Sequence, residues 1–198
     1  MNLDHENLCS SPEWAKYLQA EVLPAVTAGV DLGADMLEIG PGPGAATDWL
    51  RDRVVNLTAL EADEPAAALL AARYPGSNVT IETGDATAMP YDDESFDSVV
   101  SFTMLHHVPT FVEQFHILEQ AWRVLRPGGT LLGSDSLAST PLHHFHHDDT
   151  YNPVDPPTLL VWLRTIGFGA VTVTVDDVLK FTARKPLPGQ ADACSDDN

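Results

Sequence analysis

The 198-residue chain is long enough for one domain with a substantial core and too short for two comfortable ones. Its 44% hydrophobic and 20% charged residues read as globular, and a net charge of −19 disfavours nucleic-acid and membrane-surface partners, since phosphate backbones and anionic lipids would be repelled. Cys9 and Cys194 stand at opposite ends without metal-ligand spacing, no charged-then-apolar leader opens the sequence, and no apolar run nears membrane-spanning length, so the expectation is a reduced, cytoplasmic protein, monomer or homodimer.

Residues 1–11 are polar and read as loose. Ser11-Pro12-Glu13 is a helix start, with serine as cap and proline in the first turn, leading into Trp14 to Ala28; Leu23-Pro24 should bend or end it. Residues 1–34 are therefore a helical segment that either packs on the domain or forms part of a lid over a ligand.

Met36-Leu37-Glu38-Ile39 reads as a short buried strand that runs into Gly40, Gly42 and Gly44, with a helix predicted over Ala45 to Arg53. Such a turn needs glycine for its backbone angles and lets a cofactor approach the main chain. Gly40-x-Gly42-x-x-Ala45 also fits a dinucleotide fingerprint, so the turn alone leaves a nicotinamide enzyme open.

Further strands are predicted at Asn56 to Leu60, ending on Glu61-Ala62-Asp63, at Val79 to Glu82, closed by Gly84-Asp85-Ala86, and at Phe96 to Phe102. Helices are predicted from Glu64 to Arg73 and from Phe111 to Leu125. A turn at Arg126-Pro127-Gly128-Gly129 precedes a fifth strand, Thr130 to Ser134. The strand-helix alternation implies a parallel sheet covered on both faces. After a helix from Pro156 to Ile166, strands Ala170 to Val175 and Val178 to Ala183 are joined so tightly that they must be antiparallel. Residues 186–198 are acidic, lack apolar periodicity and read as a disordered tail.

Glu38-x-Gly40-x-Gly42-x-Gly44, Glu61 after strand two, Gly84-Asp85-Ala86 after strand three, Phe96-Asp97, and Leu125-Arg126-Pro127-Gly128-Gly129-Thr130 occur in that order. In this set residues 35–185 resemble the class I S-adenosylmethionine-dependent methyltransferases, of the small-molecule, type 11-like subgroup. The resemblance implies an α/β, Rossmann-like, doubly wound seven-stranded sheet, mostly parallel with the last strand antiparallel. It also implies S-adenosylmethionine as cofactor. Gly40, Gly42 and Gly44 would wrap its methionine portion, supported by Glu38. Glu61, beside Ala62, would accept from the ribose hydroxyls, Asp85 would take the adenine amine, and the Ala86 amide would meet a ring nitrogen. Phe102 would complete the pocket.

Two histidine groups bear on the acceptor. His106-His107 follows the fourth strand. His143-His144-x-His146-His147-Asp148-Asp149 lies in the long connection from Asp135 to Pro156, and long ordered loops in compact domains tend to be functional. His106, His107, His143, His144 and His146 are candidate bases for removing a hydroxyl proton. His144, His147 and Asp148 are the candidate ligands of a divalent ion, magnesium, manganese or zinc. The fourth strand ends Ser101-Phe102-Thr103-Met104, without the Asn/Asp-Pro-Pro-aromatic motif of enzymes that methylate amino groups of bases or glutamine. The expected reaction is O-methylation of a small sugar or secondary metabolite. A nicotinamide-dependent oxidoreductase and a protein that holds S-adenosylmethionine without turnover are the alternatives.

Overall fold

The computed structural model describes residues 7–189; the expectations placed on residues 1–6 and 190–198, including Cys194 and most of the acidic tail, lie outside the described residues. Strands β1 (Asp35–Ile39), β2 (Asn56–Glu61), β3 (Val79–Thr83), β4 (Phe96–Phe102), β5 (Leu125–Asp135), β6 (Gly169–Val175) and β7 (Leu179–Arg184) form one sheet, in the order β3-β2-β1-β4-β5-β7-β6. The pairs β1/β2, β1/β4, β2/β3 and β4/β5 are parallel, whereas β7 runs against both β5 and β6. The expected doubly wound sheet with a reversed last strand is the one observed.

Alternation along the strands builds two apolar layers. Leu37, Ile39, Val99 and Leu131 face one side, under α5 (Phe111–Val124) and α7 (Pro156–Ile166). Met36, Val100, Phe102 and Leu132 face the other. That second face is covered by Leu18, Val22, Leu23 and Val26 of the N-terminal helix, by Leu50 of α3 (Thr47–Leu50), and by Leu70 of α4 (Glu64–Ala71). Side-chain caps start the long helices where the strands end. Asp63 accepts from Ala66 N, Thr110 and Glu113 form a reciprocal capping box, and Asp155 accepts from Thr158 N.

Four local expectations are corrected. Of the two outcomes expected at Leu23-Pro24, a bend or an end, the end does not occur: α1 (Pro12–Tyr17) passes through a π turn (Leu18–Val22) into α2 (Leu23–Thr27). Pro24 has no N–H to bond back to Ala20, and the π turn, in which Leu23 N–H bonds to Leu18 O, absorbs the missing donor. The helix after the glycine turn is one short turn rather than the span Ala45 to Arg53. Strand β5 starts at Leu125, opposite Phe96, so Arg126 to Gly129 belongs to the strand; a register shift between Phe96 and Ser98 accommodates it. Finally, the connection from Asp135 to Pro156 is not all loop, because Ser139 caps a short helix, α6 (Thr140–Phe145), through its bond from Leu142 N.

The reversed strand carries the largest fully buried side chain, Phe181, and Gly133 on β5 faces it with no side chain in between. Phe181→Ala is expected to lower stability by about 3–5 kcal/mol, measured by chemical denaturation, because the cavity lies under a paired strand that cannot collapse.

Candidate functional site

The C-terminal ends of β1 to β4 open into a cleft of about 910 Å³. Its floor is the turn after β1. Gly40 has φ 65°, and a Cβ there would meet Met104 Cγ at 2.2 Å, so the chain can pass only as glycine. At Gly42, φ 51°, a Cβ would meet nothing within 4 Å, because this residue borders the cleft itself.

Carboxylates at successive strand ends surround this turn. Glu61 Oε2 accepts from Gly42 N at 3.1 Å and Oε1 from Asp63 N at 3.1 Å, tying the turn to the end of β2. Asp85 Oδ1 accepts from the Thr87 amide and hydroxyl, both at 2.8 Å, which shapes the 3₁₀ turn Ala86–Ala88. Glu38 is 2% exposed and accepts from Thr47 Oγ1 at 2.7 Å. Burial pushes its carboxyl up to about 7; the Thr47 hydrogen bond opposes this, and the charges of Asp48 and Glu61 add to it. The N-terminal segment closes one side with Cys9, Trp14 and Leu18, and Gln19 Nε2 donates to Ala45 O at 2.9 Å. Burial raises the Cys9 thiol to about 11, so it is not a thiolate at neutral pH.

The opposite wall is a histidine cluster. His106 and His107 lie on a 3₁₀ turn (Leu105–His107) after β4, entered through Thr103 at φ 51°, an unfavourable angle for threonine. His106, 3% exposed, places Nδ1 2.5 Å from Oδ1 of the fully buried Asp135 at the end of β5. His146 arrives from the end of α6, 4% exposed, with Nδ1 2.7 Å from Leu142 O and its ring stacked on Tyr151 at 4.4 Å between centroids. Desolvation lowers its pKa. Asn152 locks the two segments together: its N–H donates to His106 O at 2.7 Å and its amide to Val108 O at 3.1 Å. Gln114 Nε2 donates to both Leu105 O and Asn152 O.

Of the predicted cofactor residues, Glu38, Gly40, Gly42, Glu61, Ala62, Asp85, Ala86 and Phe102 all line the cleft. Gly44 does not; a Cβ there would meet Leu70 Cδ1 at 2.5 Å, so it serves the packing of the turn on α4. Of the candidate bases, His107 lines the cleft, and His106 and His146 stand behind it. His143 and His144 are exposed on α6 and outside the lining, because the helix turns that face to solvent. His144, His147 and Asp148, the expected ligands of an ion, are all exposed and are not the group that gathers. Among the described residues it is His106, His107 and His146 whose ring nitrogens gather, within 4.8 Å of one another. Sequence reasoning missed Asp135, although an acid at a C-terminal strand end is the signal that identified Glu61 and Asp85. It also missed Thr150 and gave no role to Asp149, the last residue of the histidine motif, although both line the cleft that His107 lines.

A family model described as methyltransferase domain matches residues 37–133, the segment that runs from β1 through the glycine turn and strand-end acids to β5. The chain belongs to the class I S-adenosylmethionine-dependent methyltransferases. The reversed β7 and this family assignment remove the nicotinamide reading of the glycine turn. The methyltransferase domain is 34% identical over 143 residues to a Mycolicibacterium smegmatis protein named "probable S-adenosylmethionine-dependent methyltransferase", covering 69% of this chain and 52% of that one. Over 59 residues it is 48% identical to 27-O-demethylrifamycin SV methyltransferase of Amycolatopsis mediterranei, 30% of this chain and 21% of that one. The chain thus spans about half or less of the length of these relatives. In fold it is similar to a chain from the Haloferax volcanii complex between the Trm112 methyltransferase activator and a methyltransferase. The TM-score is 0.73 at 17% identity, covering 94% of this chain and all of that one.

The raised Glu38 carboxyl makes a pH prediction for the methyltransferase domain without cofactor. Between the ordinary value of 4.5 and about 7 the unfolded chain releases this proton and the folded chain keeps it, so stability falls as pH rises through that window. The shift corresponds to about 3 kcal/mol. Glu38→Gln is expected to flatten that fall, read as the difference between wild-type and variant melting curves across the window; parallel curves would refute it.

Proposed function

We propose that the chain transfers a methyl group from S-adenosylmethionine to a hydroxyl of a small molecule, with the histidine cluster assisting loss of the acceptor's proton. The observation that carries this reading is the convergence of Glu38, Glu61, Asp85 and the glycine turn with His107 in one cleft. Displacement at a sulfonium methyl needs an aligned acceptor, a dry site and, for a hydroxyl, somewhere for the proton to go. The strand-end acids suit the cationic cofactor: Glu61 accepts from the ribose hydroxyls, Asp85 from the adenine amine, while the Ala86 amide donates to the base. His107, on the wall opposite, suits the acceptor side.

Support for a hydroxyl acceptor comes from the absence of an Asn/Asp-Pro-Pro-aromatic sequence after β4 and from the A. mediterranei relative, whose name specifies O-methylation of a small molecule. Support for a small acceptor also comes from the net charge of −19, which suits neither nucleic acid nor an anionic membrane. Among the described residues no helix is long and apolar enough to cross a membrane. We place the reaction in the cytoplasm. The N-terminal segment, with Trp14 in the cleft wall, acts as the cover over the cofactor.

Calorimetry with S-adenosylmethionine, together with S-adenosylhomocysteine release over a panel of alcohols, sugars and amines, tests the reading. Glu61→Ala is expected to weaken the cofactor by about tenfold to a hundredfold, the worth of hydrogen bonds to a charged group. His107→Ala should cut turnover about a hundredfold or more while leaving cofactor affinity within twofold. Absence of binding heat at millimolar cofactor sinks the proposal; binding without turnover on any acceptor leaves a cofactor-holding protein in its place.

A further inference from the structure

Two of the three clustered imidazoles have their tautomer set by what they touch. Leu142 O can only accept, so His146 Nδ1 carries its hydrogen and Nε2 holds the lone pair. The buried Asp135 carboxylate, which also accepts from Ser136 N at 2.6 Å, stands at His106 Nδ1 and fixes that ring the same way, with Nε2 as the electron-pair donor. A carboxylate or carbonyl holding one ring nitrogen so that the other presents its lone pair is the arrangement that orients histidine toward a metal. The third ring, His107, lies 4.0 Å from that of His106 and 5.5 Å from that of His146, centroid to centroid.

We propose that His106, His107 and His146 bind one divalent transition-metal ion of the zinc class at the wall of the cofactor cleft. One ligand atom from each lies within 4.8 Å of the others. A tetrahedral ion with bonds of roughly 2.0–2.1 Å needs nitrogens about 3.3 Å apart. His107, the half-buried member on a 3₁₀ turn, is the one whose rotation closes the difference. His106 and His146 are held in place by Asp135, Leu142 and the Asn152 bridge. The all-imidazole set selects zinc, cobalt or nickel over magnesium and manganese, which prefer oxygen. Three protein ligands leave the fourth position for water or a substrate oxygen. His107 borders the cleft, so that position lies on the acceptor side.

This inference rests on the methyl-transfer reading for its consequence only: an ion there lowers the pKa of a hydroxyl bound to it, which is the assistance the acceptor needs. Binding itself is tested apart from turnover. The full chain, stripped with chelator, is titrated with Zn²⁺ by calorimetry and with Co²⁺ by visible absorption, and with Mg²⁺ and Mn²⁺ as controls. S-adenosylmethionine affinity is measured on the same samples.

One Zn²⁺ per chain is expected, with tetrahedral cobalt bands and no response to Mg²⁺ or Mn²⁺. His107→Ala and His146→Ala should each weaken Zn²⁺ by about a hundredfold or more, and Asp135→Asn, which removes only the carboxylate behind His106, by about 10–100-fold. His144→Ala and His147→Ala should change affinity less than twofold. Wild type that takes up no Zn²⁺ overturns the proposal, as does binding that survives His107→Ala but is lost in His147→Ala. Retained cofactor affinity shows that a variant is folded, and in wild type without Zn²⁺ uptake it shows that the metal site has failed while the methyltransferase reading stands.

Discussion

Parallel pairing is the constraint from which the site follows. Because β1 is bonded to β2 on one side and β4 on the other, and these to β3 and β5, all five strands finish at the same edge of the sheet. Every residue that follows a strand is delivered there. Glu61, Asp85, the Thr103–His107 segment and Asp135 lie 18 or more residues apart in sequence from one to the next, yet all follow or end strands at one edge of the sheet. The Gly42-to-Glu61 hydrogen bond then converts proximity into a fixed shape, joining the turn after β1 to the end of β2.

On the opposite wall the same edge is extended by an element outside the sheet. The connection from Asp135 to Asp155 folds back over the end of β4 and is held by backbone bonds through Asn152 and by Gln114 beneath it. Gln114 is fully buried on α5. Its two donations, to the Leu105 and Asn152 carbonyls, tie two separate segments together and account for a polar group at that position. The histidine cluster sits where these two segments cross, held by the bonds that join them.

The fold and the placing of the strand-end acids in one cleft were legible because both follow from strand boundaries. Once β2 ends at Glu61 and β3 before Asp85, their place at the rim needs no further information. The histidine half was legible only as composition. His143, His144, His146 and His147 are chemically alike in sequence, and which of them turns inward depends on where α6 begins and on the bend after Phe145. Ser139-Thr140-Pro141 carries a helix-start signal, serine cap with proline in the first turn, that could have set this phase. The bend could not have been read, because Asp148 at φ 57° and the Asn152 bridge are tertiary in origin. Pro24 shows the converse: a helix breaker in sequence was overruled by the apolar burial of Leu18, Val22, Leu23 and Val26 against the sheet.

Six acidic side chains, those of Glu38, Glu61, Asp63, Asp85, Glu113 and Asp149, border a cleft in a chain whose formal charge is −19. Under the proposed reaction the donor enters as a sulfonium and leaves as a thioether, one positive charge poorer. The same field that draws the donor in therefore grips the spent molecule less firmly, and product inhibition is eased without any moving part. Counterions dilute such a field, so this discrimination between fresh and used cofactor is greatest in dilute electrolyte and shrinks as ionic strength climbs.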